Sequence, residues 1–174
     1  TNSLQEIENH DLIFVIGSNT TESHPIIGLK MKKAVRKGAE LIVADPRKID
    51  LVRFSSIWLQ HKPGTDVALL NSIMHVIIKE GLIDQKFINE RTEGFELFKD
   101  SLKEFTPEKG EKITGVPKEK IIKAAVIYGN AVRPGIYYTM GITQHSHGTD
   151  NVLTIANLAL MTGNLGRECT GVNP

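Results

Sequence analysis

The sequence has little cysteine, no long apolar run and almost no net charge, and each shortage excludes a class of protein. Cys169 is the only cysteine among 174 residues, so no disulfide can form within the chain, which fits a reducing compartment. No apolar run approaches the roughly 18–20 residues that a membrane-spanning helix needs. A net charge of +1 gives no strong attraction to nucleic acid or to an anionic membrane. We therefore expect a cytoplasmic protein that neither enters a membrane nor binds nucleic acid.

The motifs of several enzyme classes are missing as well. No lysine follows the first glycine loop as a P-loop requires, and no Gly-x-Ser-x-Gly segment supports a Ser-His-Asp hydrolase. His145 and His147 alternate in a loop, but no further histidine or cysteine cluster completes a zinc site. Cys169 has no reactive motif around it. The sequence therefore predicts no catalytic residues and no metal ligands within the chain.

The most informative stretch is a short apolar run that ends in a glycine loop. Residues 12–16 are five consecutive apolar residues followed by Gly17, a pattern typical of a strand buried on both faces in a parallel sheet. Residues 17–20 form a polar loop, and a helical pattern over 26–37 follows. A strand, a glycine loop and a helix together present backbone N–H groups to an anion, often a phosphate. The alternative is an ordinary strand-to-helix turn, because the full G-x-G-x-x-G pattern is absent.

A second apolar strand is predicted over residues 41–44, and it is followed by Asp45, Pro46 and Arg47. Two apolar strands joined by a helix of this length form a right-handed βαβ unit. An acidic residue just past the second strand can accept hydrogen bonds from ribose hydroxyls, so Asp45 is a candidate nucleotide ligand. The alternative role for Asp45 is to cap the turn that Pro46 makes.

Two more strands are predicted, over residues 57–59 and 136–138. A helix over 67–79 follows the third strand, and Thr65 or Asp66 can cap it, while Asp66 could also face a nucleobase. In a doubly wound sheet, ligands bind outside the carboxyl ends of the strands. We therefore expect the loops after all four strands to gather at one edge and to form a binding site.

The domain organisation follows from the remaining segments. Residues of about 84–130 are helical in pattern and carry no recognisable chemistry, so we expect a helical insertion packed on one edge of the sheet. A last helix is predicted over 151–161, capped by Thr149 or Asp150. These patterns predict one α/β domain over 1–174, three-layered and Rossmann-like, with a mostly parallel sheet of four or five strands. The first residue is not methionine, and we expect a domain excised from a longer chain.

Taken together, the motifs resemble the catalytic (alpha) subunit of molybdenum- or tungsten-dependent formate dehydrogenases, in the DMSO-reductase family of molybdopterin oxidoreductases. The resemblance covers the whole chain. The motifs that carry it are Asn9-His10-Asp11-Leu12, Gly17-Ser18-Asn19, Glu22-Ser23-His24-Pro25, Asp45-Pro46-Arg47-Lys48, Arg91-Thr92-Glu93-Gly94, Met140-Gly141-Ile142-Thr143-Gln144-His145, Thr162-Gly163-Asn164-Leu165-Gly166 and Gly171-Val172-Asn173-Pro174. Each motif is weak alone, but the set in this order and spacing is specific.

The resemblance implies a bis(molybdopterin guanine dinucleotide) cofactor with molybdenum or tungsten, and a domain that binds one of its two guanine dinucleotides. It also implies which residues contact each part of the cofactor: the diphosphate (Gly17, Ser18, Asn19, Glu22), the ribose and phosphate (Asp45, Arg47), the guanine (Gly64, Asp66) and the path toward the pterin (Gly141, Thr143, Gln144). Formate is then the substrate of the whole enzyme.

Parts of the complete enzymes of this family are missing from this sequence. The cysteines of their 4Fe-4S cluster and their metal-ligating cysteine or selenocysteine lie upstream of such a domain, and Cys169 does not stand in either motif. The resemblance thus implies an inactive segment whose partners are the remaining domains of the same subunit and electron-transfer subunits. Two alternatives stay open. One is a structural domain, as in the large iron–sulfur subunit of NADH:quinone oxidoreductase, and the other is an unrelated nucleotide-binding module, such as the central domain of thiamine-diphosphate enzymes.

Overall fold

The computed structural model describes residues 2–174, and its centre is a five-stranded sheet in which every neighbouring pair is parallel. The strands are β1 Leu12–Ile16, β2 Glu40–Ala44, β3 Ile57–Leu59, β4 Pro134–Tyr138 and β5 Gly171–Asn173. Their order across the sheet is β3-β2-β1-β4-β5. The four strands predicted from apolar runs are confirmed, as is the parallel α/β fold class.

Helices connect and cover these strands. In chain order they are α1 Thr20–Ser23, α2 Pro25–Arg36, α3 Asp66–Lys79, α4 Gln85–Arg91, α5 Phe95–Leu102, α6 Pro107–Thr114, α7 Lys118–Asn130, α8 Met140–Thr143 and α9 Gly148–Met161, with 3₁₀ turns at Glu6–Asn9 and Asp50–Phe54. The longest, α3 and α9, have 14 residues each. Within the described residues, therefore, no helix combines the length and the apolar character needed to cross a bilayer.

The side chains of β1 alternate between two buried faces of the sheet, which explains why all five of its residues are apolar. Leu12, Phe14 and Ile16 belong to a large core that also contains residues of α3, α7 and α9. Ile13 and Val15 belong to a smaller core shared with α2. The sheet is therefore the middle of three layers, as the sequence predicts.

The segment over 84–130 packs differently from the prediction. It forms α4 to α7, and the ring of Tyr128 in α7 meets that of Phe14 in β1 edge to face, with centroids 6.2 Å apart. Tyr128 is fully buried in the large core, and this burial raises its pKa to about 12. The helix α7 thus covers a face of the sheet rather than one edge, because it is the last helix of the crossover from β3 to β4.

Several local predictions at helix starts are wrong. A separate turn, α1, lies between the glycine loop and α2, where the sequence predicts only loop. Thr65 is the N-cap residue of α3, as one of the two predicted alternatives has it, but its side chain makes no capping hydrogen bond, and Asp66 is already the first residue of that helix. The last helix begins at Gly148, so that Thr149 and Asp150 lie inside its first turn and neither is the N-cap residue.

Candidate cofactor-binding cleft

The loops after β1, β2, β3 and β4 meet at the carboxyl edge of the sheet and enclose a cleft of about 390 Å³. The chain runs from β1 to β2 and β3 on one side, and then returns to β4 on the other side of β1. The cleft therefore opens beside the point where the strand order reverses, which is where open α/β sheets bind ligands. Six of the eleven residues predicted as cofactor contacts line it: Gly17, Asn19, Asp45, Arg47, Asp66 and Gly141.

The loops after β1 and β4 touch through their backbones at Gly17 and Gly141. The carbonyl O of Gly17 accepts hydrogen bonds from Gly141 N and from Thr139 Oγ1, both at 3.1 Å. A Cβ atom on Gly17 would lie 2.7 Å from the carbonyl carbon of Gly141, and Gly17 has a φ of +57°. Only glycine fits this approach without strain, so these two glycines bring the loops together at the floor of the cleft.

The loop after β1 contains polar atoms that have no partner. Ser18 Oγ, Asn19 Oδ1 and Thr21 Oγ1 are buried, and none makes a hydrogen bond within residues 2–174. Buried polar atoms are normally paired, and leaving one unpaired costs about 1–3 kcal/mol. Three such atoms among four consecutive residues beside a cleft are suited to a polar ligand that would pair with them.

Asp45 serves the turn with one carboxylate oxygen and leaves the other free. The residue is 3% exposed, and its Oδ1 accepts a hydrogen bond from Arg47 N at 2.8 Å. Its backbone O accepts another from Trp58 Nε1 at 2.9 Å. The second oxygen, Oδ2, accepts no hydrogen bond from any described residue. The turn-cap role is therefore present, and it leaves an acceptor at the cleft for a ligand.

Like Asp45, Asp66 uses one carboxylate oxygen in a contact within the protein, but its partner is a histidine. Its Oδ1 lies 2.9 Å from His61 Nε2, and the side chains of the two residues are only 4% and 1% exposed. The Pro63-Gly64 turn between them has the signature of a type II turn, because Gly64 has a φ of +78° and Thr65 N donates to the carbonyl of residue 62 at 3.2 Å. Gly64 thus shapes the turn and does not line the cleft.

The other predicted contacts lie outside the cleft wall. Ser18 is buried in the loop after β1, with 2% of its surface exposed, and is not among the lining residues. Glu22 is exposed in α1, and Thr143 and Gln144 are exposed at the end of α8. No group of three His, Cys, Asp or Glu side chains that could bind a metal ion occurs within residues 2–174.

Sequence reasoning missed several residues that line the cleft, above all His61, Met140 and His145. Met140 is 61% exposed, and His145 Nε2 lies 2.8 Å from the carbonyl O of Gly141. His61 and Met140 follow strands by two residues each, so the rule that identified Asp45, a position just past a strand, would have found them. The alternation of His145 with His147 directs attention to a metal site and gives no signal for the cleft.

Comparison with known proteins identifies the family. The family model described as molybdopterin oxidoreductase matches residues 1–174. The chain belongs to the molybdopterin oxidoreductase family. An unrelated nucleotide-binding module is thereby excluded.

Molybdopterin oxidoreductases related to the chain include two formate dehydrogenases. The chain is 55% identical to the F420-dependent formate dehydrogenase subunit alpha of Methanocaldococcus jannaschii, over all of this chain and 26% of that protein. It is 44% identical to formate dehydrogenase H of Escherichia coli, over all of this chain and 24% of that protein. The chain therefore spans about a quarter of the length of these relatives.

A solved structure shares the fold of the chain. Acetylene hydratase from Pelobacter acetylenicus superposes with a TM-score of 0.85 at 25% sequence identity, over 94% of this chain and 24% of that one. Membership of the molybdopterin oxidoreductase family implies a molybdopterin cofactor. The cleft fits a part of such a cofactor, because it is lined by Asn19 and lies beside the unpartnered atoms of Ser18 and Thr21, polar contacts that the described residues leave unused.

Proposed function

We propose that this domain binds one guanine dinucleotide of a bis(molybdopterin guanine dinucleotide) cofactor in a formate dehydrogenase alpha subunit. The observation that carries the proposal is the set of three unpartnered buried polar atoms over residues 18–21, next to a cleft lined by two carboxylates, Asp45 and Asp66. A nucleotide diphosphate needs donors for its phosphate oxygens and acceptors for its hydroxyl and base N–H groups. The cleft offers both kinds of group.

Each part of the nucleotide has a partner of matching chemistry. Asn19 lines the cleft, and its amide can rotate to donate to a diphosphate oxygen. The hydroxyl groups of Ser18 and Thr21, buried in the same loop beside the cleft, can donate to diphosphate oxygens that reach into this loop. Asp45 Oδ2 can accept hydrogen bonds from ribose hydroxyls. Asp66 can accept from the N–H groups of guanine. Arg47, whose side chain is 72% exposed, adds a positive charge close to the phosphates.

The reaction belongs to the whole subunit, and this domain contributes binding and orientation. When bound, the molybdopterin supplies the molybdenum or tungsten at which redox chemistry occurs. Formate oxidation to carbon dioxide is proposed because relatives of the chain are formate dehydrogenases. The same reasoning proposes a 4Fe-4S cluster elsewhere in the subunit, electron-transfer subunits as partners and a cytoplasmic location.

A purely structural role, as in the large iron–sulfur subunit of NADH:quinone oxidoreductase, is less well supported. A domain without a ligand would gain stability by replacing Ser18 or Thr21 with apolar residues, because a buried hydroxyl without a partner is unfavourable. Their presence together in one loop favours a bound cofactor.

The proposal is tested through Asp45 with GDP as the probe. Asp45→Ala should weaken GDP binding about tenfold or more, because a hydrogen bond to a charged group contributes about 1.5–3 kcal/mol. Asp45→Asn should weaken it less, since its carbonyl oxygen still accepts. Isothermal titration calorimetry gives these affinities. The matched control is Asp50→Ala, which removes an aspartate paired with Lys32 at 2.7 Å and absent from the lining of the cleft.

Equal GDP affinities of the wild type and Asp45→Ala would restrict Asp45 to its turn-capping role.

The content of the intact subunit gives a second, independent test. Purified intact subunit should release guanine nucleotide on acid hydrolysis and should contain molybdenum or tungsten. An intact subunit that contains neither would contradict the proposed function.

A further inference from the structure

His61 is a buried residue of the cleft to which neither the motifs quoted above nor the sequence analysis assigns a role. It is 3% exposed, yet it lines the cleft together with Asp66. Its Nε2 lies 2.9 Å from Asp66 Oδ1, and its Nδ1 lies 3.4 Å from the carbonyl O of Leu59. A neutral imidazole carries one N–H, and the shorter contact assigns it to Nε2, which then donates to Asp66.

The position of His61 is fixed by the surrounding backbone. Leu59, two residues earlier, is the last residue of β3, and the next residue, Lys62, donates its backbone N–H to the carbonyl O of Thr114 at 2.9 Å. The Pro63-Gly64 turn then returns the chain to the start of α3. Because strand, turn and helix are all anchored, the imidazole ring and the Asp66 carboxylate meet in one geometry without depending on mobile side chains.

The contact holds one carboxylate oxygen of Asp66 and leaves the other available. Among residues 2–174, Oδ2 of Asp66 accepts no hydrogen bond, and each carboxylate oxygen has a second lone pair. Guanine presents two neighbouring donors on one edge, the ring N1–H and the exocyclic 2-amino group. A carboxylate can accept both only when its plane is aligned with the base.

We infer that His61 is a positioning residue that fixes the plane of the Asp66 carboxylate and thereby makes the cleft selective for guanine. The inference rests on the proposed function, because it takes the cleft to be the guanine site. Without the His61 donor, the carboxylate rotates about its Cβ–Cγ bond to find other partners. The two acceptor oxygens then no longer match the two donors of the base.

The test compares GDP with inosine diphosphate, IDP, which lacks only the 2-amino group. The ratio of the two affinities measures the hydrogen bond to that amino group. Wild-type protein should prefer GDP by about tenfold or more. His61→Leu, which has a similar size but no donor, should reduce this preference to less than about threefold. His61→Gln should restore it, because the side-chain amide of glutamine can donate from nearly the same position as Nε2.

The control is His75, a histidine within α3 that also contacts a backbone carbonyl. His75 Nδ1 lies 2.9 Å from the carbonyl O of Leu102, and His75 does not line the cleft. His75→Leu should therefore keep the GDP preference of the wild type, even if it lowers stability. Affinities are measured by calorimetry on the intact subunit prepared without cofactor, and circular dichroism checks that each variant is folded.

The outcomes separate this inference from the proposed function. A purely structural role of His61 would weaken GDP and IDP binding equally, so an unchanged ratio in folded His61→Leu overturns the inference alone. Loss of the preference in both His61→Leu and His61→Gln would also overturn it, because the donor would then not be the cause. If the wild type binds neither nucleotide at millimolar concentration, both the inference and the nucleotide assignment of the cleft are wrong.

Discussion

At the amino ends of the strands, His10 and Asp11 are paired, whereas at the carboxyl ends three buried polar atoms are not. His10, just before β1, binds the carbonyl O of Cys169 through Nδ1 at 2.8 Å, and its Nε2 accepts from the Tyr137 hydroxyl at 2.7 Å. Asp11 accepts from two successive backbone N–H groups before β4, at 2.9 and 2.8 Å. The loop over 18–21 leaves Ser18 Oγ and two neighbouring atoms without partners.

We infer from this difference that polar groups at the amino ends of the strands stabilise the fold, whereas those at the carboxyl ends bind a ligand. Paired polar groups at the amino ends hold the strands and the chain segments around them. Unpaired groups at the carboxyl ends lower the stability of the free domain and are retained where a ligand can pair with them. Variants at the two ends should therefore change different quantities, and the following predictions are ordered by the size of the expected change.

The largest change is expected at the contact between the loops after β1 and β4. Gly17→Ala adds a Cβ 2.7 Å from a backbone atom of Gly141 at a residue with a φ of +57°. Strain and overpacking together should lower the free energy of unfolding by about 2–4 kcal/mol and abolish GDP binding. Urea unfolding of the 174-residue domain, followed by the fluorescence of Trp58, its only tryptophan, measures the first effect.

The matched control for that variant is Gly81→Ala. Gly81 has a similar φ of +69°, but a Cβ there would have no neighbour within 4 Å. Its loss of stability should therefore be limited to about 1–2 kcal/mol of backbone strain. Equal losses in the two variants would mean that the contact between the loops is unimportant.

A smaller change is expected at the amino ends. Asp11→Ala removes the acceptor of two backbone N–H groups and should lower the free energy of unfolding by about 1–3 kcal/mol. GDP affinity should stay unchanged, because Asp11 lies at the opposite edge of the sheet from the cleft. A loss of GDP affinity in folded Asp11→Ala would contradict the claim that the amino ends affect stability and not binding.

In the loop after β1, a substitution is expected to keep or raise the free energy of unfolding, whereas the substitutions above lower it. Ser18→Ala removes a buried hydroxyl that has no partner, so the free energy of unfolding should stay the same or rise by about 1 kcal/mol, while GDP affinity falls severalfold. Ser72→Ala is the control, because Ser72 Oγ is paired with the carbonyl O of Ala68 at 2.9 Å. That variant should lose stability and keep its GDP affinity.

The smallest change is a pH effect at the amino ends. Glu6 accepts from Cys169 N at 2.7 Å, and hydrogen bonds from this N–H, from Ser3 and from Asn2 lower the pKa of Glu6 from 4.5 to about 2. A lowered pKa in the folded state stabilises the protein above pH 4.5, and this contribution is lost as the pH falls from 4.5 toward 2. Glu6→Gln should therefore lose less stability than the wild type over that range in urea unfolding. The prediction would be contradicted if the free energies of unfolding of the wild type and of Glu6→Gln fell by the same amount over this pH range.

Much of the fold was predictable because its signals are local. Four strands are apolar runs ended by turn residues, and their burial on both faces explains why the pattern is so clear. The strand β5 has only one large apolar residue, Val172, and pairs only with β4, so no run indicates it. The turn α1 consists of polar residues and is too short to show a helical period. The sequence therefore predicts a loop in its place.

The candidate site was predictable only in part, because a local sequence motif does not show which distant residues contact each other in the fold. The position of Asp45 just past β2 indicated a role at the cleft. The contact between Asp66 and His61 depends on the turn at Pro63-Gly64, so the sequence predicts a helix cap or a nucleobase contact for Asp66 and gives no sign of His61. The close approach of Gly17 and Gly141 joins loops 124 residues apart in sequence, and neither glycine indicates the other.

Hydrogen–deuterium exchange of the backbone with and without saturating GDP tests the central claim most directly. If the carboxyl-end cleft binds the guanine nucleotide, GDP should slow exchange in the loops over 17–23, 45–47, 61–66 and 139–145. Exchange over 6–11 and 131–134, at the amino ends, should stay the same. Protection confined to the amino ends, or no protection in any of the four cleft loops, would contradict the account.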